Sequence, residues 1–493
     1  MRYLTRFQTN SASSLWAVLL VLLPITSTPF VRDLLHTSTV AGPSVLALVG
    51  LFLIWYIPFI WKAGKIPKAV LPLLGFVLVA ILSISSAEFI TIPTFKNSGV
   101  IQPAMNAFIT LLVGLGYLLI ANSRISNEQD YRKTLKWIYF GGLIMIIWSL
   151  LQSSVWFINE RYPDWMRNLQ DFLSLGPLYR QRATGFALEP SWQAHMLNML
   201  YLPMWLSAVC SGYSVFSFRL FKKVTAEMLL LAMGLIVLGL TFSRVGWITF
   251  ACMAAFLLIL GNFNLVKWVQ KRFHVSENRK KSSTIIITFC ILLFYIGFMV
   301  FAAFGMSRID PRMRDLFTRQ FWQLNNMNRY ANALQFGERV VYWQAGWEIF
   351  NRFPILGVGL GNAGKWFSET IPSYGMNLIE VRSLLYRSMD LPNIKNLWIR
   401  ILAETGISGF AFFSAWLVSL WKKSAGLRST QITICKMLGY WGIFVVIGII
   451  LEGFSIDSFA MPYFWISAGL VLSGGYFIKN SDATSTTLSL EES

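Results

Sequence analysis

Apolar runs of roughly 20 residues recur from one end of the chain to the other, separated by short polar or basic stretches. A helix needs about that many apolar residues to cross about 30 Å of hydrocarbon. The pattern predicts twelve spans, at 14–31, 42–61, 69–90, 101–121, 137–158, 192–213, 225–242, 246–266, 283–304, 397–420, 434–453 and 459–478. The expected fold is an all-α polytopic membrane protein with about 12 transmembrane helices. Spans one to nine occupy 1–304, with an outer loop at about 159–191. Residues 305–396 are too long for a mere connector and are expected to form a long extracytoplasmic loop with helices of its own. Three spans follow in 397–478, and 479–493 reads as a disordered cytoplasmic tail.

Composition agrees with this pattern. Of 493 residues, 55% are hydrophobic and only 13% are charged, with a mean hydropathy of +0.55. A soluble chain would carry about twice that charged fraction. Cys210, Cys252, Cys290 and Cys435 all fall inside apolar runs without metal-ligand spacing, which points to small buried hydrophobes. His36, His195 and His274 are scattered, so no histidine metal site is expected. The first apolar run lacks a convincing cleavage site and is expected to be a retained helix.

Charge fixes the expected orientation. With a cytoplasmic N-terminus, the inner loops are "KAGKIPK", "NSRISNEQDYRKTLK", "FRLFKK", "KWVQKRFHVSENRKK" and "KKSAGLRSTQITICK", every one of them basic. The C-terminus is then cytoplasmic too. Divided this way, the inner side holds 15 Lys and 8 Arg, whereas the outer side holds 3 Lys and 16 Arg. Topogenic charge can be either residue. An excess of arginine on the side that normally avoids cations points to a planar, bidentate donor for phosphate or carboxylate. Pairing with the 16 outer Asp and Glu is the plainer alternative.

Four outer stretches carry candidate chemistry. "YRQRATGFALEPSWQAHM" sets Arg180 and Arg182 ahead of Glu189-Pro190, which suit the start of the sixth span as cap and first-turn proline. His195 lies inside that span, as a packing or hydrogen-bonding residue or, less simply, a catalyst. "TFSRVGW" supplies a turn between two spans and places Arg244 at the edge of the bilayer, where a cation usually faces a cavity or partner. "GERVVYWQAGWEIFNRFPILGVGLGNAGKWF" predicts a helix with an apolar stripe of Val340, Val341, Trp343, Trp347 and Phe350, flanked by Glu338, Arg339 and Arg352. Its G-x-G-x-G follows no strand, so it reads as a close-packed turn under an amphipathic helix on the membrane and not as a nucleotide fingerprint. "NIKNLWIRILAETGISGF" places Arg400 and Glu404 i,i+4 on the tenth span, either neutralising each other or completing an outer cavity. There is no D-x-D and no P-loop, which argues against nucleotide-sugar chemistry and ATP hydrolysis.

"RATGFALEPSWQA", "LTFSRVGW", "ERVVYWQAGWEIFNRFPILGVGLGN" and "NLWIRILAETGISGF", in that order and on one side, resemble the O-antigen ligase and O-antigen polymerase superfamily of membrane glycosyltransferases. The resemblance implies a GT-C-like helical fold in the bacterial inner membrane. It also implies a glycan donor linked to undecaprenyl diphosphate, and an inverting, metal-independent transfer at the outer leaflet with no cofactor. Flippase and chain-length regulator proteins would be partners, and nucleic acid would not. By the same resemblance Arg180, Arg182 and Arg244 would hold the diphosphate, with Arg339 and Arg352 from the long loop, and Glu189 would orient the arginines or the acceptor. Many members place His-Asn before the "LAE-G" helix, where this chain has Lys395-Asn396. Ligases in particular use a histidine in the long loop, and 305–396 contains none. The general base stays open between Glu338, Glu189, Glu404 and His195. A polysaccharide polymerase is the leading expectation, a ligase acting on lipid A-core its nearest rival, and a transporter or flippase of an anionic lipid the alternative from another class.

Overall fold

The computed structural model describes residues 6–35, 42–63, 66–96, 99–221, 223–272, 280–308, 314 and 336–477. Within them, helix falls on all twelve apolar windows, and sheet is limited to one antiparallel pair, Arg219–Leu220 with Val224–Thr225. Seven helices are long and apolar enough to cross a membrane by length and composition: Ser44–Lys62, Lys68–Phe89, Ile101–Arg124, Glu128–Asn159, Arg244–Gly261, Leu397–Arg428 and Thr433–Glu452. Asn10–Val21 and Ala226–Leu240 are apolar but shorter.

Local chemistry sets several boundaries. The Asn127 side chain accepts from the Asp130 N–H at 2.8 Å and starts helix Glu128–Asn159 well before its apolar run. Asn396 caps helix Leu397–Arg428 by accepting from the Trp398 and Ile399 N–H groups at 2.9 and 3.1 Å. Three windows differ from the expected continuous spans. The first helix, Arg6–Val21, stops before Pro24, and a separate short helix, Pro29–Leu35, follows. The sixth is helical over Pro190–Met196 and Leu202–Ser211, joined by a π-helical turn, Leu197–Tyr201, just before Pro203. The twelfth is preceded by a non-helical, mostly buried stretch, 453–461, and becomes helix only at Pro462–Ser473.

One large apolar core runs through the helices, and a second, smaller one belongs to the long segment between helices nine and ten. The second is built by Val341, Tyr342, Ala345 and Ile349 of helix Gly337–Arg352 against Trp366, Phe367, Val381 and Ile394. The buried face of this helix is therefore rotated from the stripe expected from sequence. Trp347 stays 49% exposed, and Tyr342 is buried in its place. The expected disordered tail and residues 309–313 and 315–335 of the long loop lie outside the described residues.

The connections expected on the outer side meet at one end of the helices. Leu175 N–H donates to Ser27 O at 3.3 Å, Ala183 N–H to Leu240 O at 2.8 Å, and Leu397 N–H to Gly453 O at 2.8 Å. At the other end, residues 128–132, 212–219 and 432–434 line a common cleft.

Candidate active site

The Arg244 turn is held from two sides. Helix Ala226–Leu240 closes where Thr241 N–H bonds Val237 O at 3.0 Å. Phe242 then takes a left-handed φ of 50°, and the Ser243 hydroxyl accepts from Gly246 N–H at 3.3 Å to begin the next helix. Trp247 Nε1 reaches back to Leu238 O at 3.0 Å. The loop before the sixth window docks on this turn, with Arg182 Nε donating to Thr241 O at 2.9 Å. Arg182 and Arg244 are thus half-buried on touching segments, and Arg244 opens a helix whose first N–H groups favour anions.

Beneath the turn lies a buried polar knot that pins three helices together. His195 Nδ1 is 2.6 Å from Glu452 Oε2, and Asn198 Nδ2 donates to Glu452 Oε1 at 2.5 Å and to Gly246 O at 2.8 Å. All three side chains are at most 1% exposed. Gly246 is required here, because a Cβ at that position would lie 2.8 Å from the Ala194 Cβ. Sequence reading missed Glu452 and Asn198. The signal was available, since "GIILEGF" carries a carboxylate at the end of an apolar run, where ionisable groups are costly and usually partnered.

The stretch 453–461 receives two guanidinium groups and one backbone N–H from the long segment and the helix after it. Arg339 Nη1 donates to Ser455 O at 3.0 Å, Lys395 N–H donates to Asp457 Oδ2 at 2.8 Å, and the Arg400 guanidinium donates to Asp457 O. Arg400 Nε also meets Glu404 Oε2 at 2.9 Å, so the i,i+4 pair is formed. Burial holds the Arg339 pKa below its ordinary value, against the opposing pull of Asp457, Glu189 and Glu380. Lys395 Nζ pairs with Glu380 at 2.5 Å and lies over the Tyr342 ring. Arg400, Glu404 and Asp457 line a cavity of about 410 Å³ with Trp192, Asn106 and Asn393. Asp457 is a third residue that the sequence did not single out.

The glycine-rich turn has a structural task that explains its sequence. Helix Leu397–Arg428 breaks at Gly406, with φ of 65°, and residues 354–361 splice onto the break. Val358 N–H bonds Ala403 O at 3.0 Å, Gly359 N–H bonds Glu404 O at 3.1 Å, and Ile407 N–H bonds Pro354 O at 2.8 Å. The Gly361 backbone then faces the Glu404 carboxylate. Gly357, Gly359 and Gly361 all have positive φ, and a Cβ on Gly406 would lie 2.2 Å from Ile355 O. Gly406→Ala is expected to cost about 3 kcal/mol and to expose 353–361 to limited proteolysis.

The remaining expected residues are less closely grouped. Glu189 occupies the cap position of helix Pro190–Met196, but its exposed carboxylate makes no cap bond and accepts from Ser191 Oγ at 3.1 Å. Arg180 is exposed in the same loop. Glu338 is half-buried in the first turn of helix Gly337–Arg352, beside Arg339. Arg352 closes the other end of that helix, about 20 Å along its axis from Arg339. There it pairs with Glu348 at 3.0 Å and with Glu369 at 3.6 Å.

Residues 229–414 match the model of the O-antigen ligase family. The match supports placing the chain in the O-antigen ligase and polymerase superfamily. The family segment begins in helix Ala226–Leu240 and ends beyond the Gly406 break, so it includes Arg244, Glu338, Arg339, Arg352, Lys395, Arg400 and Glu404. Arg180, Arg182, Glu189, His195, Glu452 and Asp457 lie outside it; Arg182 joins it at Thr241, Asp457 at Lys395 and Arg400, and the His195–Glu452 pair through Asn198 at Gly246. The family indicates a membrane protein with O-antigen ligase-like or polymerase-like activity on lipid-linked glycans. No curated relative matches the chain.

Proposed function

We propose that the protein is a polysaccharide polymerase of the bacterial inner membrane, with both termini cytoplasmic and about 12 transmembrane helices of GT-C-like arrangement. It transfers a glycan from undecaprenyl diphosphate onto the next lipid-linked repeat unit at the outer face. What supports this reading is a set of half-buried arginines on the outer segments together with a cavity lined by carboxylates. Arg182 and Arg244 sit on one touching pair of segments, Arg339 is in the field of Glu189 and Asp457, and Asp457 and Glu404 line the cavity.

The chemistry suits these groups. The acceptor hydroxyl attacks the anomeric carbon from the face opposite the diphosphate, the bond to the diphosphate oxygen breaks, and the configuration inverts. Charge builds on the leaving diphosphate, where Arg182, Arg244 and Arg339, with Arg180 at the rim, would stabilise it. The hydroxyl proton passes to a carboxylate. Glu404 and Asp457 of the cavity are better placed than Glu338 or Glu189, and His195 is spoken for by Glu452. Arg352, exposed and already paired, contributes little to this arrangement. Arg352→Ala is expected to change turnover by less than about fivefold, the most that exposed ion pairs of this kind are worth.

The lack of any histidine in 305–396 favours a polymerase over a ligase. The test is a product assay on purified protein given lipid-diphosphate-linked repeat units, with and without lipid A-core. A ladder of lengths from repeat units alone is expected. A single transfer that demands lipid A-core would make it a ligase, and no transfer in either case would favour a lipid transporter.

A further inference from the structure

At the other end of the molecule, an apolar groove of about 820 Å³ runs between helices Glu128–Asn159 and Ala226–Leu240. Trp137, Phe140, Leu143, Leu230 and Met233 line it, and Lys133 and Lys136 stand at its mouth. Positions 133, 136, 137, 140 and 143 share one face of a helix. Trp137 and Phe140 are 44% and 50% exposed, which leaves this face open. From Lys133 to Leu143 the groove extends about 15 Å, half the thickness of a hydrocarbon core of about 30 Å, so it has the depth of one leaflet.

The cations at its mouth are not balanced by the acids on the same elements. Glu128 pairs with Arg132 at 3.0 Å, and Asp130 accepts from Ser126 and Asn127. Glu227 is fully buried and accepts from Ser214 Oγ and Val215 N–H. Lys136 Nζ lies 5.9 Å from the Phe216 ring centroid, and Phe216 also walls a polar cleft that contains Arg132 and Arg219. An apolar trough one leaflet deep, whose cations among the described lining residues are Lys133 and Lys136 at its polar end, matches an acyl chain joined to an anionic head.

We infer that this groove binds an anionic phospholipid, with an acyl chain against Phe140 and Leu230 and its phosphate on Lys133 and Lys136. The inference is independent of the chemistry proposed for the opposite end. The test is native mass spectrometry of the full-length protein with added phosphatidylglycerol or with phosphatidylcholine of the same chain length. Preferential retention of phosphatidylglycerol is expected. The exposed double substitution Lys133→Gln/Lys136→Gln should weaken it about thirtyfold, the worth of two juxtamembrane lysines. Leu230→Trp, which fills the groove, should reduce retention of both lipids. Equal retention of the two lipids by the unmodified protein would overturn the inference. So would a phosphatidylglycerol preference that survives the double lysine substitution, or retention of an isoprenoid phosphate in place of phospholipid.

Discussion

Arg244→Ala is expected to lower turnover by about 10² to 10³, with membrane insertion and unfolding temperature close to those of the unmodified protein. The side chain starts helix Arg244–Arg272, half-buried, beside the segment that carries Arg182. Its helix begins on the Ser243 cap, and Trp247 and Asn198 hold the backbone, so the turn survives loss of the guanidinium. On the proposed mechanism, the substitution removes a donor to the charge that develops on the departing diphosphate. Arg244→Lys should recover only part of the rate, because an ammonium cannot bind two phosphate oxygens in a fixed plane. Single-turnover kinetics with a lipid-linked donor would check both. Equal rates for Ala and Lys would show that charge at this position is irrelevant.

Glu452→Ala should damage the fold itself. Its two oxygens hold His195 and Asn198, and Asn198 in turn holds the Gly246 carbonyl two residues beyond Arg244. Removing the carboxylate leaves the buried His195 nitrogen without its partner and frees the helices to shift. A loss of about 3 kcal/mol is expected, with activity falling as the Arg244 turn loosens. Glu452→Gln keeps an oxygen for Asn198 and a donor for His195, so it should restore most of the stability. Thermal unfolding in detergent compares the two. Identical unfolding temperatures for Glu452→Ala and the unmodified protein would show that the knot does not hold the helices.

The helices were legible because each apolar window is long and the loops between them alternate in charge. Where spans broke, the cause was local: Pro24 after the first helix, the π-helical turn before Pro203, and the buried stretch 453–461, whose apolar composition hides its irregular backbone. The candidate site was only partly legible. Arg244 and the Arg400–Glu404 pair stand out as charges within apolar surroundings. Glu452 and Asp457 flank a short connection that reads as a simple turn between two spans. "GIILEGF" marks Glu452 as a carboxylate ending an apolar run, but its partners His195 and Asn198, and the Lys395 N–H on Asp457, are long-range contacts that the local sequence does not name. The helix Gly337–Arg352 shows the same limit. Its apolar residues are too many to name one buried face, and packing against Trp366 and Phe367 makes the choice.

The most direct test of the central claim is a cryo-electron microscopy map of the protein in nanodiscs with undecaprenyl diphosphate. Headgroup density is expected within hydrogen-bond reach of Arg244 and at least one of Arg182 and Arg339, with the polyprenyl chain leaving toward lipid. Headgroup density at the other end of the helices, or at the same end without contact to Arg244, would contradict it.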